Sequence, residues 1–467
     1  MAKRLLYLDY MRGLFIGYLI FIHGIAQIVL DQVSSVMGQI PDWANYVLAP
    51  FVILATWAPL FALVSGTANT YSLQSQFLKN MKEAAGISDV NLWKLLKGQF
   101  LNSFFMYLLS LLNMGVFSYP IGIGGGPVRY TLITGSIARG YLSWGDPLLL
   151  FFSDALALIA ISGFVTGILC YIIWRKGGVL KVKRNIVFLT VVAVVWVAVS
   201  PALQDWLEPV FLNSLNSGNY FLAFVLKFIV GPSEITFPNV AFAIFGQVFG
   251  IALALEMPYK YIRNYGYTFG VFFTVLAVIF YQVFPVPPLS PSQIGKNITF
   301  QNALLNLGLI ITIATFLIGF MEYQTPERRA KIAKQTIAIR RFGIVALTVF
   351  ILEGLVSISW KKLYMAMVPF VDFTTINIPA TLVYLGVLLL FWYFIAKLWE
   401  KYNFKYSFEW VLVQIVGRLR GRMSNRLNVR EVLYNIEGEP KPVEKKSVEE
   451  NAEAENFVED NTEDENP

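Results

Sequence analysis

Continuous apolar runs of about twenty residues constrain this chain more than anything else in its sequence. Such a run crosses the ~30 Å hydrocarbon core of a bilayer as an α-helix. Inside that core every backbone polar group needs a partner within the chain, which leaves helices and closed barrels. The runs are unbroken rather than alternating, so helices are predicted and strands are not. Composition agrees: 56% of residues are apolar and 14% charged, where a soluble domain carries about 25% charged residues. The expected class is an all-α, polytopic integral membrane protein of the cell membrane.

The runs predict ten crossings, near residues 10–30, 47–70, 99–118, 148–174, 186–204, 238–257, 268–286, 303–321, 342–359 and 378–397. A further apolar piece, "NYFLAFVLKFIVG" at 219–231, is too short to span and is predicted to be re-entrant or interfacial. The start carries Lys3 and Arg4 like a signal peptide, but no small-residue cleavage site follows His23, so the first run is read as retained.

Charge sets the expected orientation. Alternate connections collect Lys79, Lys82, Lys94, Lys97, Arg175, Lys176, Lys181, Lys183, Arg184, Lys260, Arg263, Arg328, Arg329, Lys331, Lys334, Arg340 and Arg341. The opposite connections hold Arg129, Arg139, Lys227, Lys296, Lys361 and Lys362. Both termini are therefore expected in the cytoplasm, with 119–147 and 205–237 as the long external loops. The stretch "GIGGGP" at 122–127 has neither the preceding strand nor the GKS or GKT of a phosphate loop, so it reads as a flexible external turn.

Three parts are expected. Residues 1–404 form the membrane domain. Residues 405–436 form a basic amphipathic helix on the cytoplasmic surface, with Arg418, Arg420, Arg422, Arg426 and Arg430 toward anionic headgroups. Residues 437–467 are acidic, nearly free of large apolar side chains, and expected to be a disordered tail. The lone Cys170 and lone His23 make a zinc site of usual type implausible, and no metal is expected. No nucleic-acid partner is expected.

The stretch "LDYMRGLFIGYLIFIHG" at 8–24 holds the only histidine of the chain, His23, with Asp9 and Arg12 at its mouth. Arg12 and His23 are eleven positions apart, close to three helical turns, so they share a face about 16 Å apart along the axis. Asp9 falls near the same face. An ionisable group at mid-membrane depth is a functional candidate by default. Gly13 and Gly17 mark a place for close helix approach. Asp154 and Glu353 lie in predicted spans and are candidates to orient His23 or bind an acceptor. Ser65 and Asn69 are candidates near the end of the second span. Lys227 and Glu234 flank the short external piece.

The stretch at 8–24 resembles the first-span signature of the transmembrane acyltransferase superfamily, an arginine, ten residues and a histidine. That group includes the acyltransferase-three family and the relatives of heparan-alpha-glucosaminide N-acetyltransferase. "WAPLFALVSGTAN" (57–69) resembles the PLFxxxSG stretch that follows in these families. "FSDALALIAISGFVTGIL" (152–169), "FPNVAFAIFGQVFGIALA" (237–254) and "YSFEW" (406–410) resemble later pieces in the same order. Tyr406 and Ser407 stand where the family has Gly-Pro, and Ile159 and Ala160 where it has Tyr-Ala.

The resemblance implies transfer of an acyl group, such as acetyl, from a cytoplasmic acyl-CoA to a hydroxyl or amine of an envelope glycan or lipid. His23 would be the general base or nucleophile. Arg12 would receive the phosphate-bearing donor, with Asp9 holding it, and Ser65 and Asn69 would line the donor side. A proton-coupled small-molecule transporter is the alternative, since buried His23, Asp154 and Glu353 beside a short broken segment suit it too. Single cysteines at Asn216 and at Asn451 are expected to react with an impermeant maleimide from opposite sides of the membrane. Labelling of both from outside defeats the orientation.

Overall fold

The computed structural model describes residues 4–29, 58–83, 91–119, 121–122, 128–231, 236–284, 299–368, 378–421 and 429–434. Among these the protein is helical apart from a two-residue antiparallel ladder, β1 (Ile121–Gly122) with β2 (Val128–Arg129). Glu234, Asn451, residues 123–127 and the acidic tail lie outside the described residues, as do Arg422 and Arg426.

Eight described helices are long and apolar enough to cross a membrane. They are α1 (Leu6–Val29), α3 (Leu92–Leu112), α5 (Ala155–Trp174), α6 (Val182–Asn216), α8 (Thr236–Ala254), α9 (Tyr259–Val283), α10 (Phe300–Met321) and α14 (Ile378–Glu400). Between them lie α2 (Pro59–Glu83), α4 (Ile133–Arg139), α7 (Tyr220–Val230), α11 (Pro326–Gln335), α12 (Ile337–Ile344) and α13 (Ala346–Met367). The chain ends in α15 (Phe408–Leu419) and α16 (Val429–Tyr434). Helices of this number, length and composition suit a bilayer environment and a multi-pass protein.

Three predicted elements differ. The ninth predicted span, 342–359, is a broken pair: α12 and α13 meet at Val345 with a bend of 84°. The second, 47–70, is represented by α2, whose second half is polar, and residues 30–57 lie outside the described residues. The external loop predicted from 205 is instead helix as far as Asn216, because α6 runs unbroken through Pro201 and Pro209. Its last turns are covered by α7, which buries Ala223, Leu226, Lys227 and Val230 at helical spacing, and Phe211 and Ser214 of α6 are buried with them.

The terminal segment, expected as a basic amphipathic helix on the cytoplasmic membrane surface over 405–436, packs on the bundle where it is described. Leu412 and Val416 of α15 bury against Met106, Leu156, Leu347 and Ile351, and Leu433 of α16 joins the main core. The outward side of α15 shows Val411, Val413, Ile415 and Leu419 together with Arg418, and Arg420 lies over Gly98 of α3.

Small residues set the tightest crossings. In α2 and α8, a Cβ on Gly66 would stand 2.1 Å from Ala243 O, and one on Gly246 2.2 Å from Leu63 O. In α1 and α12, a Cβ on Gly13 would stand 1.8 Å from Ile339 O, and one on Gly343 2.0 Å from Asp9 O. Backbones this close gain packing that larger residues forbid. A Cβ on Gly17, by contrast, would meet nothing within 4 Å among the described residues. Gly66→Ala is therefore expected to destabilise the detergent-solubilised protein by about 1–3 kcal/mol through overpacking. Gly17→Ala should leave the melting temperature unchanged or slightly raised. Equal melting behaviour of the two variants would show that the α2–α8 contact is not what holds the bundle.

Candidate functional site

The site is built on α1 and the broken helix opposite it. His23 Nδ1 lies 2.8 Å from Glu353 Oε2, a contact across 330 residues of sequence. The Glu353 side chain is 1% exposed and the His23 side chain 36%. Ser357, one turn along α13, donates to Glu353 Oε1 at 2.6 Å, and its own carbonyl accepts from Tyr384 of α14 at 3.1 Å. Both carboxylate oxygens of Glu353 are thus engaged. The edge of the His23 ring meets the Tyr119 ring with centroids 5.0 Å apart. Gly354 lets Tyr119 reach that place, because a Cβ there would stand 2.6 Å from Phe117 O. The Phe117 end of α3 is a single π turn, Asn113–Phe117, a form that recurs at functional sites.

Two carboxylates fasten the helix ends around this pair. Glu409, in the "YSFEW" stretch, accepts from Leu347 N (2.8 Å), Thr348 N (3.3 Å) and Thr348 Oγ1 (2.5 Å). The Phe408 amide donates back to Thr348 Oγ1 at 2.8 Å. A carboxylate on the first amides of α13 satisfies donors that have no partner within the helix and meets the positive end of its dipole. Glu322 does the same for α1, accepting from Tyr7 N at 2.9 Å, while Arg329 bridges Glu322 (3.2 Å) and the carbonyl of Arg4 (2.9 Å).

Asp9 is buried, and Arg4 grips it with both arms, Nε to Oδ2 at 2.6 Å and Nη2 to Oδ1 at 3.1 Å. Arg12 approaches Asp9 only to 3.9 Å, and its side chain is 32% exposed. The expected hold of Asp9 on Arg12 is therefore loose, because Arg4 satisfies the carboxylate first. Arg12 and His23 remain on one unbroken helix, eleven residues apart.

The other candidates sit elsewhere. Asn69 donates to Ser65 at 3.2 Å within α2, an i,i+4 pair. Asp154 caps α5: its oxygens accept from Ala157 N (2.9 Å), Ser110 (2.6 Å) and Asn113 (2.9 Å). Of the two carboxylates considered as partners for His23, the structure brings up Glu353 and leaves Asp154 on α3. Lys227 points into the bundle and donates to Leu150 O (2.6 Å) and Phe152 O (3.4 Å), ringed by Phe224, Tyr107 and Phe228 at 5.2, 5.4 and 5.7 Å.

Sequence reasoning missed Tyr119, Ser357, Tyr384, Glu409, Glu322 and Arg4. Only Glu409 had a signal, as the acid of the terminal motif; the rest reach the site through tertiary contacts. Comparison with protein-family models, with curated proteins and with solved structures finds no match.

Lys227 generates a pH prediction. Burial brings its pKa down to about 8 from an ordinary 10.5, with Asp154 pulling the other way. Between those values the unfolded chain holds a proton that the folded protein has released, so this residue makes stability rise with pH across the window. Melting of the wild type is expected to gain on Lys227→Met as pH goes from about 8 to 10.5. A constant difference between the two would show that the ammonium is not held in the way described.

Proposed function

We propose that this chain is a membrane-bound O- or N-acyltransferase that moves an acyl group from a cytoplasmic acyl-CoA to a hydroxyl or amine of an envelope glycan or lipid. Both termini are cytoplasmic in this reading. The observation that carries it is the His23–Glu353 pair: a part-exposed imidazole oriented by a buried carboxylate that is itself held by Ser357. With Nδ1–H donated to Glu353, the Nε2 lone pair is the open face of the ring. Nε2 takes the proton of the acceptor hydroxyl or amine as that atom attacks the thioester carbon. The new C–O or C–N bond forms, the C–S bond breaks, and the imidazolium returns its proton to the departing CoA sulfur. Glu353 favours the imidazolium that exists between these two transfers.

Arg12 lies toward the cytoplasmic end of α1 in this orientation. Its side chain is part-exposed and its guanidinium is not hydrogen-bonded to Asp9; a guanidinium with free donors suits the phosphates of a CoA donor. A second reading, proton-coupled transport, draws on the 84° break between α12 and α13 beside the same pair, since interrupted helices mark many transport sites.

The test is thiol release from acetyl-CoA by the purified protein offered glycan or lipid acceptors. His23→Ala and His23→Gln are each expected to lower the rate at least about a hundredfold, with the folded protein retained. Glu353→Gln keeps a hydrogen bond but loses the charge, so its rate should fall between those of the wild type and His23→Ala. Arg12→Lys should raise the donor KM by loss of the planar fork. Full activity in His23→Gln, or no thiol release alongside solute uptake driven by a pH gradient in proteoliposomes, overturns the reading.

A further inference from the structure

The junction of α2, α5 and α8 contains polar side chains that the proposed chemistry does not use. Thr70, Gln74, Trp174 and Gln247 are each at most 1% exposed. Among the described residues, both amide atoms of Gln74, Trp174 Nε1 and Gln247 Oε1 have no hydrogen-bond partner. Their placement is consistent from helix to helix. Thr70 lies beside Cys170. Phe77 packs on Trp174 with ring centroids 6.0 Å apart. Gln74 is one turn from Thr70 and one turn from Phe77, so it faces the Cys170–Trp174 turn of α5. From α8, Gln247 crosses over and donates to Thr166 O at 3.0 Å and Cys170 Sγ at 3.2 Å, leaving its carbonyl oxygen unmet. Further along α2, the fully buried Tyr7 hydroxyl stands next to Thr67 and within electrostatic reach of Arg12.

A dry core does not tolerate this concentration of unmet groups, because each bears the full desolvation penalty of a missing bond. The unmet set mixes donors (Trp174 N–H and the Gln74 amide) with acceptors (Gln74 and Gln247 carbonyl oxygens). Exchanging the two ends of either amide leaves the mixture in place. None of the groups carries a charge, and the indole N–H argues against a cation. The chemistry that fits is a small neutral molecule that both donates and accepts. We infer that the junction of α2, α5 and α8 is a binding site for a cluster of internal water molecules, bonded to Thr70, Gln74, Trp174 and Gln247 and reaching toward Tyr7 behind Arg12. Sites of this kind hold waters with two to four protein partners. The inference is independent of acyl transfer. It places water at the Arg12 end of the bundle, apart from the His23 pair.

Millisecond radiolytic labelling of the full-length protein in detergent tests it, because radicals form on bound waters and oxidise buried neighbours. Oxidation is expected at Trp174 and Cys170 despite their burial, with its loss at Trp174 in Gln74→Met, a change that conserves volume and removes two water partners. The melting temperature gives a second measurement of opposite sign for the two cases. Gln74→Met should melt below the wild type if waters are bound, and above it if the junction is dry, since two unmet atoms are then deleted. Absence of labelling at both residues in the wild type, or a Gln74→Met protein more stable than the wild type, overturns the site. Should the variant fail to fold, wild-type labelling alone decides.

Discussion

A carboxylate with almost no exposure, surrounded by apolar helices, has to be met on both oxygens. Glu353 is met by His23 on one side and Ser357 on the other. The arrangement around it follows from that need. Helix α1 has to present His23 at hydrogen-bond distance, so its approach to the broken helix is fixed. The glycine contacts Gly13 on Ile339 and Gly343 on Asp9 set the spacing at the Arg12 end. Ser357 in turn ties α13 to α14 through Tyr384. Removing the imidazole would leave Glu353 with one partner in a low-dielectric setting. The pair is therefore structural whatever chemistry is proposed for it, and Glu353→Gln separates the two roles because it keeps the shape and drops the charge.

The break at Val345 is costly for the same electrostatic reason. Ending one helix and starting another at 84° exposes four amides at the new start. Glu409 takes two of them, and the Phe408 amide and Thr348 hydroxyl complete a reciprocal cap. The terminal segment is thus part of the membrane domain's architecture. Arg341 binds Glu400 at 2.5 Å and reaches the Tyr434 hydroxyl at 3.3 Å, so α16 is tied to the same region.

Most of the fold class was readable from apolar run length alone, because span length is a local property. Partnerships across the bundle were not. Glu353 and Asp154 looked alike in sequence, each a lone acid in an apolar segment. Asp154 precedes an unbroken apolar run by one residue, which is an N-cap position, and that local signal was available. Glu353 has no such local explanation, and its contact with His23 spans 330 residues, which periodicity does not report. The same limit applies to α15: the arginines of 405–436 pointed to a face toward anionic headgroups, but the apolar seat of Leu412 and Val416 on Met106 and Ile351 is not displayed by the sequence. The apolar run ends at 204, but α6 continues to Asn216 because cover from α7 supports further turns.

Lys227 and Asp154 bear on how the remaining charges are placed. Asp154 spends its three short bonds on α3 and on its own helix, and Lys227 spends its ammonium on two backbone carbonyls. Neither group points to His23, and each secures an irregular stretch between helices. Glu322, Glu409 and Arg329 likewise sit at helix ends. His23 and Glu353 differ because they lie within helical runs, away from any cap, where no backbone group needs them. A charge at a helix end has a structural reason to exist; an imidazole facing a carboxylate in mid-helix has none in the backbone, and the proposed acyl transfer is built on that pair for this reason.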